Sequence, residues 1–401
     1  MEGAAHVRTT LGTDGIRAEA EGLRGQLLLW RRHLHQHPEP SFQENETAAF
    51  IAGELEAMGL RPARPLTNAV TVDIGPSGRR RVALRADIDA LPIQEETGLP
   101  FASTRPGLMH ACGHDGHTAI LLGIARLLAA YADSLPGQVR LLFQPAEEVP
   151  PGGAEAMIAA GVLDGVSAIV GLHLWATLRS GQAIATPGPA WAAADRFRAV
   201  VRGRSAHGAQ PHRAIDALEA ACRAVCALQT IVSRRVDPVQ TAVVSVGTLH
   251  AGEAFNIIAG TARLEGTVRA FDERVRQQVR GAVDDVLRQT VGAAGATLDL
   301  DYLDGYPPLV NDPEVTALTH RVAADILGAG SIQAGPLEMA ADDFGRFLQL
   351  VPGCYLTLGA GGTDPEQGFP HHHPRFTIDE GVLPSGVAIL AGIAMEMLTA
   401  S

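Results

Sequence analysis

Nine residues constrain this chain more than any other stretch: Met109-His110-Ala111-Cys112-Gly113-His114-Asp115-Gly116-His117. They gather one thiol, three imidazoles and a carboxylate, with two glycines that let the backbone turn. Thiolate and neutral imidazole are the ligands that borderline-soft divalent cations such as zinc prefer. Each of these residues alone is more often an ordinary buried thiol or surface histidine; the cluster as a whole favours a metal. The run Thr118 to Tyr131 that follows is apolar with a helical period, so the cluster is expected on a loop just before a helix.

Further acids and histidines sit where strands are predicted to end. Before the cluster, Gly22 to His35 reads as an amphipathic helix ended by His37-Pro38-Glu39-Pro40, and Asn45 to Met58 as a second helix. Ala69 to Ile74 and Arg81 to Ala86 read as strands, the latter running into Asp87-Ile88-Asp89. Gln138 to Phe143 is a strand leading to Gln144-Pro145-Ala146-Glu147-Glu148, and Ala168 to Leu172 is one that ends in His173. Adjacent carboxylates repel unless something positive holds them; a cation does so when one glutamate ligates and its neighbour stays free as a base. In an open α/β sheet the C-terminal strand edge is where sites are built.

The pattern changes after Pro187. Strands are predicted at Arg196 to Arg204, Ala242 to Leu249, Ala262 to Ala270 and Thr297 to Leu303, and helices at Ile215 to Val232 and Glu273 to Val291. This βαββαβ order fits a small α+β sandwich inserted into a larger α/β domain with helices around a mixed sheet. Pro187-Gly188-Pro189 and Gly305-Tyr306-Pro307-Pro308 are the expected hinges, giving a first domain of residues 1–187 and 305–401 and an insert of 188–304. The first domain resumes with a helix over Glu314 to Leu327, Asp342-Asp343-Phe344, a strand over Cys354 to Leu358, His371-His372-His373-Pro374 and a closing helix to Thr399.

With 401 residues, 46% hydrophobic and 19% charged, the chain is ordinary globular material, long enough for two domains. Its net charge of -12 comes without an acidic block, every cation is an arginine, and no basic stripe points to nucleic acid. No uncharged apolar run reaches membrane-spanning length. The four cysteines, Cys112, Cys222, Cys226 and Cys354, are too scattered for a disulfide framework. Cys222 and Cys226, one helical turn apart, are expected to pack on one apolar face. Met1 to Glu21 lacks the apolar stretch of a signal peptide, so a soluble cytoplasmic protein is expected.

These motifs, with Gly203-Arg204-Ser205-Ala206-His207, Asn256-Ile257-Ile258, Gly266-Thr267-Val268-Arg269 and Asp343-Phe344, resemble the co-catalytic metallopeptidases that include aminoacylases and glutamate carboxypeptidases. The nearest branch is that of hippurate hydrolases and indole-acetyl-amino-acid amidohydrolases. The resemblance covers nearly the whole chain, with Pro40 where a leucine is usual and Asp342 where a glutamate is.

The resemblance implies a metallopeptidase catalytic domain with an inserted lid or dimerisation domain, and two divalent ions per subunit, Mn, Zn, Co or Ni. Their implied ligands are Cys112, His114, Glu148, His173 and His372, the last chosen from its triplet by its spacing to Pro374. Asp89 and Asp87 then orient a ligand imidazole. Glu147 is the implied general base, taking a proton from water made acidic by a cation and returning it to the departing amine. His207 is the implied oxyanion donor, and Asn256 and Arg269 bind the substrate's carboxylate or oxyanion. The implied reaction is hydrolysis of N-acyl amino acids to a carboxylic acid and a free amino acid. A dipeptidase or carboxypeptidase using the same site, or a non-catalytic binding homologue, are the alternatives. A homodimer through the insert, or a tetramer, is expected, in which His207 reaches the partner's metals.

Overall fold

Short runs rich in Val, Leu and Ala form the centre of the first unit because both faces of each strand are covered by other parts of the chain. In the computed structural model, which describes residues 12–365 and 368–399, a seven-stranded sheet runs in the order Val70–Ile74, Gln138–Gln144, Arg81–Asp87, Val166–Trp175, Gly353–Gly359, Ala183–Ile184, Ile332–Gln333. Its four central strands, from Gln138–Gln144 to Gly353–Gly359, are mutually parallel. Val70–Ile74 and Ala183–Ile184 run antiparallel to their inner neighbours. The sheet is therefore mixed, with the C-terminal ends of four parallel strands at one edge. Helices Arg24–Gln36, Asn45–Ala57, His114–Ala129, Pro313–Leu327 and Leu383–Thr399 bury their apolar residues in the same core. Thr13–Gly22 is a further helix, with Ile16 and Ala20 buried; the polar N-terminal stretch gave no sign of it.

The chain divides into two compact units, one of Met1–Gly188, Val310–Pro336 and Asp342–Ser401, the other of Pro189–Leu309 and Leu337–Ala341. The second is a four-stranded antiparallel sheet in the order Thr297–Tyr306, Ala193–Arg202, Thr261–Ala270, Ala242–Ala251. Along Ala193–Arg202 burial alternates, and the inward side meets helices Ala217–Leu228 and Glu273–Ala293 in a separate core. Asp216 and Asp272 start these helices, each accepting two backbone N–H bonds from the first turn. The helix expected over Ile215 to Val232 is two, broken at Gln229.

One expectation is corrected. Cys222 and Cys226 do not pack on an apolar face; both are exposed, because Ala217, Ala220, Ala221, Ala224 and Leu228 form the buried stripe of that helix. Glu380–Thr399 is long and apolar enough to cross a membrane despite its charged ends, yet 78% of its apolar window is buried inside the first unit. The reading of a missing signal peptide falls partly on residues 1–11, outside the described residues.

Candidate metal centre

The helix after the cluster starts earlier than its hydrophobic pattern suggested. It begins at His114, so His114, Asp115 and His117 occupy its first turn, and His110 and Cys112 remain on the loop. Gly113 makes the sharp entry at φ 93, a conformation that favours glycine. Gly116 serves close approach instead: a Cβ there would meet Leu174 Cδ1 at 2.6 Å. The polar residues of this first turn are buried, because the turn is packed against the C-terminal edge of the sheet.

That edge supplies the other donors. Asp87 closes its strand, Glu147 and Glu148 follow Gln144, and His173 lies within Val166–Trp175 opposite Thr357. His371 and His372 come from the segment after the last central strand, where the His372 backbone N–H bonds Ala111 O at 2.9 Å. The donor atoms of Cys112, Glu148 and His372 lie within 4.8 Å of one another, and so do those of Cys112, His173 and His371 and those of His114, Glu147 and Glu148.

Hydrogen bonds sort the imidazoles. His114 Nδ1 lies 2.9 Å from Asp89 O and 3.2 Å from Asp89 Oδ1, and His173 Nδ1 lies 2.7 Å from Leu174 O. A carbonyl can only accept, so each ring carries its proton on Nδ1 and turns the Nε2 lone pair inward. His117 is reversed: its Nε2 accepts the Leu174 backbone N–H at 2.8 Å, and Nδ1–H donates to Asp87 Oδ1 at 2.6 Å. His117 therefore has no lone pair to offer a cation, although its atoms lie near Asp87 and His114.

His114 Nε2 and Glu148 Oε1 are buried without a hydrogen-bond partner, 3.8 Å apart. His372 Nε2 lies 3.3 Å from the same Glu148 oxygen, and His173 Nε2 lies 3.5 Å from Cys112 Sγ. Buried lone pairs turned toward one another are costly unless a proton or cation is shared between them. A mixed S, N and O set suits a borderline-soft divalent ion, so the residues present fit two such ions.

Charge acts in the same direction. Burial works to lower the His114 imidazole, but Asp87, Asp89 and Glu148 overcome it and push it up to about 10. Burial, then the Glu148 and Glu147 carboxylates, raises the Cys112 thiol well above its ordinary value. The part that the carboxylates play in both shifts reflects negative charge that a cation would neutralise. Burial, then Asp342, Glu148 and Asp343, also raises Glu147 well above the usual carboxylate range.

The backbone under the glutamate pair is strained and pinned. Ala146 has φ 54, which a residue with a Cβ seldom adopts, and the buried Glu44 accepts its N–H at 2.7 Å. Asp89 Oδ2 accepts the Glu148 N–H at 3.0 Å. Beneath lies the buried Arg85, donating to Gln144 Oε1 at 2.9 Å, Asp87 Oδ2 at 2.5 Å, Asp343 Oδ1 at 2.9 Å and Asp342 Oδ1 at 3.2 Å. Sequence reasoning missed Glu44 and Arg85 as supports. An arginine between Leu84 and Ala86, in the buried interior of strand Arg81–Asp87, was the available signal.

The three remaining expected residues lie in the second unit. His207 and Asn256 are exposed and share a small ribbon, Ile257–Ile258 pairing with Ala206–His207 and Gly208 N–H donating to Asn256 O at 2.7 Å. His207 Nδ1 accepts the Ala209 N–H at 3.0 Å, which leaves Nε2–H to donate. Arg269 is half-buried in Thr261–Ala270, and burial, partly offset by Asp195, lowers its guanidinium from the usual value.

Comparison with known proteins identifies the family. The profile of Peptidase family M20/M25/M40 matches residues 83–396. An N-acyl-L-amino acid amidohydrolase of Geobacillus stearothermophilus is 46% identical over 75% of this chain and 82% of its own length. An N-acetyl-L-cysteine deacetylase of Bacillus subtilis is 43% identical over 99% of this chain and 96% of its own. The crystal structure of the Bacillus subtilis YXEP protein, described as a dinuclear metal binding peptidase, superposes with a TM-score of 0.82 at 35% identity, covering 95% of this chain and all of that one. With its family profile matched across most of its length, the chain belongs to Peptidase family M20/M25/M40.

Proposed function

We propose that this protein is a metal-dependent amidohydrolase that splits the amide bond of N-acyl amino acids, N-acetyl and N-benzoyl among them, to a carboxylic acid and a free amino acid. The observation that carries the reading is the pair of buried, unpartnered atoms, His114 Nε2 and Glu148 Oε1, beside the Glu147 carboxylate. Cys112, His114, Glu148, His173 and His372 would hold the two ions, of Mn, Zn, Co or Ni. Bound there, the ions would polarise the scissile carbonyl and make water more acidic. Glu147 takes the proton of the attacking water and hands it to the departing nitrogen. Asp89 and Leu174 O fix the tautomers of His114 and His173. The Nε2–H of His207 donates to the developing oxyanion, and Asn256 and Arg269 hold the substrate's carboxylate.

A release assay over N-acetyl, N-benzoyl and indole-acetyl amino acids, with dipeptides alongside, tests this. Chelation should abolish turnover and the four metals should restore it unequally; full activity after exhaustive metal removal contradicts the reading. Faster turnover of dipeptides than of acyl amino acids would move it to a carboxypeptidase.

We also propose a cytoplasmic homodimer. The support for the compartment is that all four cysteines are unpaired. For the dimer it is an exposed His207 with a free donor edge, suited to a second copy's centre. Subunit exchange between His207→Ala and Glu147→Gln proteins should restore roughly a quarter of wild-type sites, since half the dimers are mixed and each has one complete site. Activity staying at the level of the separate variants would place His207 in its own chain's chemistry or outside it.

A further inference from the structure

His371 also stands beside Cys112, with Nδ1 at 3.6 Å from its sulfur, and proximity alone would count it as a ligand. The other side of the ring decides otherwise. The Ala176 backbone N–H points at His371 Nε2 at 3.2 Å. A backbone amide has only a proton to give, so Nε2 is a lone pair and the neutral ring carries its proton on Nδ1. The nitrogen that faces the sulfur is then a donor and has nothing to give a cation. The ring is fixed in this orientation by Trp175, with centroids 4.5 Å apart, and by Phe376 at 4.9 Å. His372 turns away from it through a backbone at φ 64 and presents its own Nε2 to Glu148.

We propose that His371 is a positioning residue, whose Nδ1–H donates a hydrogen bond to the Cys112 sulfur and so orients that sulfur toward the ions. The proposal rests on Cys112 being a metal ligand, as in the function proposed above. A thiolate that accepts such a bond holds its electrons more tightly, which trims the charge it gives the metal and fixes the direction of its remaining lone pairs. The same device occurs nearby: Leu174 N–H sets His117, and His117 Nδ1–H holds Asp87. Two backbone amides, on Leu174 and Ala176, thus turn two of the imidazoles at this edge into donors.

Cobalt(II) loaded into the full-length protein tests this without reference to turnover, through the sulfur-to-cobalt charge-transfer band. In His371→Phe the band should move to longer wavelength, and cobalt affinity should fall about 10- to 100-fold. In His371→Asn, whose amide N–H falls close to the position of Nδ1, the band should stay near its wild-type wavelength. An unmoved band in cobalt-loaded His371→Phe overturns the proposal. So does loss of one cobalt equivalent in both variants, which would make His371 a ligand. If wild-type protein binds cobalt with no such band, Cys112 is not a ligand and the underlying assignment fails instead. Should His371→Phe not fold, long-range 1H–15N spectra of wild-type protein decide: a proton on Nδ1 supports the proposal and a proton on Nε2 overturns it.

Discussion

The two units each bury a cluster of charge, and the clusters are finished differently. Around Asp195, in the second unit, each oxygen is used: Arg276 donates from Nε at 3.0 and 3.1 Å and from Nη2 at 2.6 Å, Gly305 N–H at 2.9 Å and Tyr302 O–H at 3.0 Å. Around Cys112, in the first unit, His114 Nε2 and Glu148 Oε1 have no hydrogen-bond partner, and Ala146 and His372 hold positive φ. A network that closes on itself holds a shape. One whose lone pairs converge on one another is shaped for something it must bind. Burial of charge alone does not tell the two clusters apart; lone pairs from several segments that converge without a hydrogen-bond partner do.

The largest effect should come from separating the adjacent glutamates. Glu147→Gln should lower kcat by orders of magnitude while keeping both metals, whereas Glu148→Gln should lose metal as well. Metal analysis giving the reverse pattern would exchange the two roles.

Breaking the closed network should cost stability and leave the metal content alone. Asp195→Ala strands a buried guanidinium, and loss of one partner of such a pair costs about 3–5 kcal/mol. Denaturant unfolding with parallel metal analysis checks this, and loss of metal would mean the clusters are coupled.

A smaller effect belongs to the cluster behind the metal loop, where Asp115 Oδ2 accepts Arg31 Nε at 2.8 Å and lies 2.8 Å from His35 Nδ1. Burial would raise Asp115, but Arg31 and His35 hold it well below the usual carboxylate range. Its stabilisation is thus present above the unfolded-chain value near 4 and lost as pH falls through the lower folded value. Burial would lower His35, but Asp115 and Glu95 raise it. That contribution has the opposite sign, complete below the unfolded histidine value of about 6.5 and lost as pH rises through the raised one. Asp115→Asn should cost about 1.5–3 kcal/mol, most between these limits, and the gap from wild type should narrow in acid. A gap that does not change with pH would show that Asp115 acts through shape alone.

The fold was legible where hydrophobic period and strand-end polar residues agreed. Gln138–Gln144, Gly353–Gly359 and the βαββαβ order of the second unit were all readable from local pattern. The start of the helix at His114 was not, because its first turn is polar yet buried, and a hydrophobic period cannot register buried polar residues. The exposed position of Cys222 and Cys226 was hidden by a helix with so many alanines that its buried stripe could be drawn on either side. Of the site, spacing pointed to the donor types, but the sorting of imidazoles depends on backbone amides of Leu174 and Ala176, which no side-chain pattern reveals.

The parallel centre of the first sheet also sets when the site can exist. Cys112, Glu148, His173 and His372 arrive from four segments, two of them strand ends that pair only through long crossovers, and His372 lies beyond the last central strand. Such non-local pairing forms slowly. A cation held by all four segments needs nearly the whole sheet assembled, so the expected outcome of kinetic measurements with and without metal is a changed unfolding rate and a little-changed folding rate. Metal would then be a latch on the finished structure, slowing its opening.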